Sequence, residues 1–215
     1  MTIELSNYWA KLTGAVHPCD MDTFARAGAH GFNLEFPPPA FIGDITHAPV
    51  IILDNNGGYG PHITPGEFPD SKACDEFRQM LAAPRPVDPA ARSMSLYYLQ
   101  RNYSPWLISG EAALVNGLAY RSVDGNTLGV GKLTKALPSA QFHRNWLREI
   151  LAPLAARGER FIVVHRWGRW NGAADVLRGL PSAVFSTCPI GSDLTSDEFD
   201  ATQKFFARRE RAHRA

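Results

Sequence analysis

The sequence predicts an α/β protein, a three-layer α/β/α arrangement around a central four-stranded, mainly parallel sheet. Three observations carry that prediction. Four short apolar runs are spread along the chain, at 50–53, 112–118, 161–165 and 183–186. The first, Val50-Ile51-Ile52-Leu53, is rich in β-branched residues and lacks alternation, as in a strand buried on both faces of a parallel sheet. Segments with helical spacing separate the runs, which implies right-handed βαβ crossovers.

The elements follow in order. Pro37-Pro38-Pro39 and the stretch Pro84 to Pro89 read as extended connectors within one domain, because composition does not change across them. The first strand stops at Asp54-Asn55-Asn56, and Gly57-Gly58 then forms a turn. Asp70 caps a helix whose Cys74, Phe77 and Leu81 share a face. A strand at 112–118 follows. Ser139 caps a long helix in which Phe142, Trp146, Ile150 and Leu154 recur every fourth residue. The third strand is followed by a short helix at about 172–180, and the fourth strand occupies 183–186. The last helix opens with Thr195-Ser196-Asp197-Glu198, a capping box in which Glu198 reaches back to the Thr195 amide.

Composition narrows the function classes. The chain has 215 residues, 45% hydrophobic and 11% aromatic, enough for one sizeable core and tight for two. A formal net charge of +1 gives no global field toward nucleic acid, membrane or an acidic partner, so a polyanion would need a local basic patch. Cys19, Cys74 and Cys188 are an odd, widely spaced set, which argues against a disulfide framework and a cysteine-ligated cluster. Glu4, Asn7 and Lys11 interrupt the apolar residues at the start, and no run approaches membrane-spanning length. The expected compartment is cytoplasmic, with no metal or cofactor.

Ligands of open α/β sheets bind beyond the carboxyl ends of the strands. Asp54-Asn55-Asn56-Gly57-Gly58-Tyr59-Gly60-Pro61, Leu114-Val115-Asn116 and Cys188-Pro189-Ile190-Gly191 all fall at such ends. Together they resemble the uracil-DNA glycosylase superfamily. The Asp54 to Pro61 segment lies without a gap on the family's G-Q-D-P-Y-H-G-P motif, with Asn56 where the water-activating aspartate sits; other branches use asparagine there, within G-I-N-P-G or G-M-N-P-G. Leu114-Val115-Asn116 is similar to the L-L-N strand whose asparagine reads the base edge, and Cys188-Pro189-Ile190-Gly191 occupies the place of H-P-S-P-L. Pro38-Pro39-Ala40-Phe41-Ile42-Gly43-Asp44 is similar to the lead-in of bacterial members. The resemblance spans about 36–194 and departs from the pattern at two positions, with no aspartate at 56 and no histidine at 188.

The resemblance implies hydrolysis of the N-glycosidic bond of a damaged or deaminated base in single- or double-stranded DNA, after the nucleotide is flipped out of the stack. Asn56 and Cys188 would be the catalytic positions. An amide orients water but takes no proton, and a thiol is a weak donor. A general base is typically worth about 10²–10⁴ in rate and a lost anion-stabilising donor about 10²–10³, so slow turnover follows. Asn55, Gly57, Tyr59, Phe68 and Asn116 are the base-binding candidates, with Gly57 and Gly58 admitting the ligand close to the backbone. His165, Arg166, Arg169, Ile190 and Ser192 are the DNA-binding candidates, joined by Trp167 and Trp170 as stacking surfaces and by Arg208, Arg209, Arg211 and Arg214 as a basic tail. Ile190 or Leu194 would fill the space left by a flipped base. Ordinary readings stand beside these: Asn116 satisfying a loop backbone, Cys188 as a buried filler, Phe68 as core, and the tail as a solvated terminus. Two other functions compete, a binding member of the same fold that does not cut and a cysteine hydrolase with Cys188 as nucleophile and His165 as base.

Overall fold

The computed structural model describes residues 4–124, 126 and 128–214, with 213 and 214 described through their backbone alone. Its strands are β1 (Phe32–Asn33), β2 (Phe41–Ile42), β3 (Val50–Gly58), β4 (Ala112–Ser122), β5 (Phe161–Val164) and β6 (Ala183–Phe185). They form one mixed sheet in the order β1-β4-β3-β5-β6, with β2 also paired to β4. The four expected strands are the parallel ones, and β1 and β2 are antiparallel additions. Each addition is two residues long and carries no period that a sequence can display.

β3 lies centrally because its first four residues are apolar on both faces. Ile51 stands opposite Ala113 on one side and Ile162 on the other, and Leu53 opposite Val115 and Val164. All six of these residues are buried. Covering both faces of such a strand accounts for its lack of alternation.

Two strands run further than their polar residues suggest. β3 continues through the expected turn to Gly58 and β4 passes Asn116 to Ser122. Asp54 stays opposite Asn116 and Asn56 opposite Leu118, with an irregularity in register before Gly58 meets Ser122. On its other side β3 pairs with β5 only as far as Leu53 opposite Val164. Asn-Gly turn chemistry yields here because β4 supplies ladder partners that a free hairpin lacks.

The helices are built largely as their spacing implies. Asp70 accepts the Ala73 amide at 2.9 Å and caps the helix Ser71–Ala82. The long helix begins at Pro138, passes through a π turn at Leu147–Leu151 and ends in Ala152–Ala156. The wide turn falls just before Pro153, whose missing N–H removes one ordinary helical bond. Ser139 is not its cap, since its amide donates to Asp20 Oδ1 at 2.9 Å and the cap position is Leu137. The expected helix near 172–180 is a single 3₁₀ segment, Ala173–Leu177. In the final helix, Ser196–Arg214, Glu198 Oε2 accepts the Thr195 amide at 2.7 Å, and the Glu198 amide donates to Thr195 Oγ1 at 3.4 Å. This helix runs from the carboxyl end of β5 toward its amino end, where Phe205 stacks on Phe161 at 5.2 Å. Among the described residues, no helix is long and apolar enough to cross a membrane.

Candidate functional site

Beyond the ends of β3 and β4 lies a cleft of about 440 Å³. Gly58, Tyr59 and Arg121 come to it from the strand ends, Thr64 and Glu67 from the short helix Thr64–Glu67, and Tyr97, Tyr98 and Arg101 from the segment after Ser95. The floor carries charge in a largely apolar surround. Glu67 is 8% exposed, and its Oε2 has no hydrogen-bond partner. Its nearest cation is Arg121 Nη1, at 3.9 Å. Arg121 is spent on structure: Nε donates to the Pro37 carbonyl at 3.1 Å, Nη1 donates to the Gly58 carbonyl at 3.2 Å, and the guanidinium lies over the Phe68 ring at 5.1 Å. Burial lowers the Arg121 pKa. Burial also raises that of the Tyr98 phenol.

The parallel strands branch to opposite sides of β3, so the crevice between the chain ends of β3 and β5 is the topological switch point. The protein fills that crevice itself. Asp54, 2% exposed, is ion-paired with Arg166: Nη2 donates to Oδ2 at 2.6 Å, and Nε lies 2.5 Å from Oδ1 outside hydrogen-bond geometry. Arg166 Nη2 also donates to the Tyr97 hydroxyl at 2.7 Å. Burial opposes charge on Arg166, and the Asp54 carboxylate outweighs it, raising the guanidinium pKa. Trp170 Nε1 donates to the Asp54 carbonyl at 2.9 Å, and Asn55 Oδ1 accepts the Arg169 amide at 3.1 Å.

The predicted residues divide sharply in this setting. Asn56 is half-buried, and its Nδ2 donates to Ser122 Oγ at 2.8 Å and to the Gly57 carbonyl at 3.0 Å. Those bonds fix the amide orientation and leave Oδ1 with no partner among the described residues, but Asn56 is not among the residues that line the cleft. Tyr59 lines the cleft, whereas Ser192 is not among the residues that do. Asn116 does not line it: the residue is 1% exposed and donates from Nδ2 to the Pro39 carbonyl at 2.5 Å, with its Oδ1 unpartnered. Phe68 is core beneath Arg121 and Phe36 rather than a stacking surface. Gly57 makes room for Pro39, not for a ligand, because a Cβ there would lie 2.3 Å from Pro39 Cγ, whereas a Cβ on Gly58 meets nothing within 4 Å.

The expected DNA-contacting cluster is corrected more heavily. His165 is fully buried, with Nδ1 at 3.0 Å from Glu198 Oε1 and Nε2 at 3.0 Å from the Gly191 carbonyl. Burial raises the Glu198 pKa, but hydrogen bonds from His165 and Thr195 outweigh it and hold the carboxyl below its ordinary range. Arg166 is committed to Asp54, Trp170 is fully buried, and Trp167 packs edge-on to Phe185. Arg169 is partly buried, which lowers its pKa, and its amide holds Asn55. Leu194 is core, whereas Ile190 is 86% exposed. Cys188 is exposed rather than a buried filler, and His165 has both nitrogens engaged elsewhere, so the cysteine-hydrolase pairing is not formed. Arg208, Arg209 and Arg211 lie past Phe205, off the amino edge of the sheet and away from the cleft; the Arg214 side chain lies outside the described residues.

No protein-family model matches this chain, and neither the curated proteins nor the solved structures contain a match. The site therefore rests on its own geometry.

Sequence reasoning missed Glu67, Tyr97, Tyr98 and Arg121. A signal existed for Arg121: a charge that directly continues an apolar strand must find partners when that strand is buried. Nothing in the local sequence singles out Tyr97, Tyr98 or Glu67. Among the described residues, no group of three or more His, Cys, Asp or Glu side chains is placed to hold a metal ion.

Proposed function

We propose that this chain is a divergent, cytoplasmic, uracil-DNA glycosylase-like protein. In this reading it receives one extruded nucleobase in the cleft at the carboxyl edge and hydrolyses the N-glycosidic bond slowly. The observation that carries this reading is the Asn56 amide, held at the end of β3 two residues before Gly58 of the cleft wall. Its nitrogen is tied down by Ser122 and Gly57, so its free oxygen accepts a hydrogen bond from the attacking water. Water oxygen bonds to C1′ as the C1′–N bond breaks, and the leaving base keeps the electron pair. The water proton passes to solvent, because an amide cannot hold it. That loss of a positioned base costs about 10²–10⁴ in rate. Tyr59 and Tyr97 flank the base, and the exposed Ile190 occupies the gap left in the stack. The four parallel strands in the order β4-β3-β5-β6 and the lead-in through Phe41 and Ile42 support the same family.

A second reading, base binding without cleavage, is favoured by two observations: Asn116 is buried away from the cleft and Cys188 offers only a thiol. Oligonucleotides carrying uracil, hypoxanthine, xanthine or 5-hydroxymethyluracil, single- and double-stranded, separate the two. Base release at stoichiometric protein, abolished in Asn56→Ala and accelerated about 10²-fold in Asn56→Asp, is the result expected of the enzyme. Binding with no release from any substrate establishes the second reading. Neither binding nor release removes both.

A further inference from the structure

A nucleotide is a ring joined to an anion, and the cleft tyrosines can answer only the ring. The cations first expected to hold phosphate do not serve: Arg166 is committed to Asp54, and Arg169 does not line the cleft. Arg121 lines it but spends Nε and Nη1 on the Pro37 and Gly58 carbonyls and stands against Glu67. Arg101, also in the cleft wall, is held differently. Its Nε donates to the Tyr97 carbonyl at 2.9 Å, and its guanidinium lies over the Tyr97 ring, 4.9 Å from the centroid. Those two contacts fix the plane of the group from one edge. Among the described residues neither terminal nitrogen makes a hydrogen bond, and neither is covered by protein. Nη1 lies 3.6 Å from Asp193 Oδ2, too far for a hydrogen bond. Asp193 is a weak competitor, with its side chain 51% exposed and its Oδ1 accepting the Asn102 amide at 2.8 Å.

Resting on the reading of the cleft as a base pocket, we propose that Arg101 is its phosphate clamp, receiving the phosphate beside the seated base end-on through Nη1 and Nη2. A guanidinium fixed along one edge and open at the other presents a planar fork of donors that matches two phosphate oxygens. Ile63, Leu96 and Val123, each more than half exposed, line the same cleft with Tyr59 and Tyr97. That wall takes a ring or a sugar face and satisfies no charge, so the anion falls to Arg101. The volume of about 440 Å³ lies within the range of about 300–1,000 Å³ typical of small-ligand pockets, which suits a single nucleotide unit. Arg101 and Tyr97 belong to one short stretch of chain, so ring and anion are held together. The ligand class is a nucleotide, in preference to a free base or nucleoside, and its phosphate takes the place of Asp193 on the guanidinium.

The test is a calorimetric titration of the full chain with deoxyuridine and deoxyguanosine, each beside its 3′- and 5′-monophosphates, repeated on Arg101→Gln and Asp193→Asn. Charge-assisted hydrogen bonds at a partly exposed guanidinium are worth about tenfold in affinity. At least one monophosphate should therefore bind about tenfold more tightly than its nucleoside. Arg101→Gln should bring that ratio close to one. Asp193→Asn keeps the acceptor for the Asn102 amide, removes the competing charge and should raise the ratio about two- to fivefold. Nucleosides binding as tightly as their monophosphates to the unaltered protein overturn the proposal and leave the base-pocket reading standing; this comparison depends on no variant. A folded Arg101→Gln that keeps the preference for monophosphates puts the phosphate elsewhere and overturns it as well. Should Arg101→Gln not fold, an unchanged ratio in Asp193→Asn does the same. Failure of every nucleoside and monophosphate to bind removes the base pocket, and the clamp with it.

Discussion

His143 links acid stability to the polar framework behind the cleft. Its ring is fully buried between two fixed partners, with Nδ1 at 2.6 Å from the Asn116 carbonyl and Nε2 accepting from Trp9 Nε1 at 2.7 Å. One nitrogen must donate and the other accept, which only the neutral ring satisfies. Burial accordingly lowers its pKa from 6.5 to about 4. Because the folded value lies below the unfolded one, the unfolded chain binds more protons between them, and stability falls as the pH falls through that window. At about 1.4 kcal/mol per pH unit, the loss amounts to about 3 kcal/mol, a large share of a typical domain's stability. His17, whose pKa is also lowered chiefly by burial, and the acidic groups titrate nearby, so the informative quantity is a difference between two proteins. His143→Gln keeps one donor and one acceptor but does not titrate. Urea unfolding at pH 7 and pH 4 should show the unaltered chain losing about 3 kcal/mol more than the variant. Parallel pH profiles would refute the assignment of a neutral, doubly bonded ring.

Two further perturbations test the architecture around the cleft. Asp54→Ala leaves Arg166 without its carboxylate. Removing one member of a buried pair costs about 3–5 kcal/mol, and the lower end is expected because the Arg166 side chain remains 20% exposed; a loss under about 1 kcal/mol in denaturant unfolding contradicts the pairing. Gly57→Ala should cost about 1–3 kcal/mol by forcing Pro39 aside, whereas Gly58→Ala should lie within about 0.5 kcal/mol of the parent while narrowing the cleft. Equal thermal shifts for the two alanines would show that the strand end is not packed as described.

The parallel strands and most helices were legible because their cause is local. An unbroken apolar run such as Val50 to Leu53 can be buried only on both faces, and Asp70 and Thr195 cap helices through bonds to residues within three positions. Ser139 misled because an N-capping residue type is also a good amide donor to a distant carboxylate, here Asp20. Strand ends misled for a related reason. Asn55, Asn56 and Asn116 have the composition of turns, and long-range partners at Arg169, Ser122 and Pro39 hold them in or beside extended backbone.

By itself, the amino-acid order determined the class of fold, the sequence of its parallel strands and caps, and the edge of the sheet where polar residues gather. Those properties follow from apolar periodicity and short-range hydrogen bonding, both of which act between near neighbours in the chain. Only the tertiary structure decided which polar residues face open space. It committed Arg166 to Asp54, turned the Asn116 amide to the Pro39 carbonyl, enclosed His165 between Glu198 and Gly191, and left Glu67 lining a cleft. A side chain's availability depends on what folds against it from elsewhere, and those partners lie up to 134 residues away, as Trp9 and His143 do.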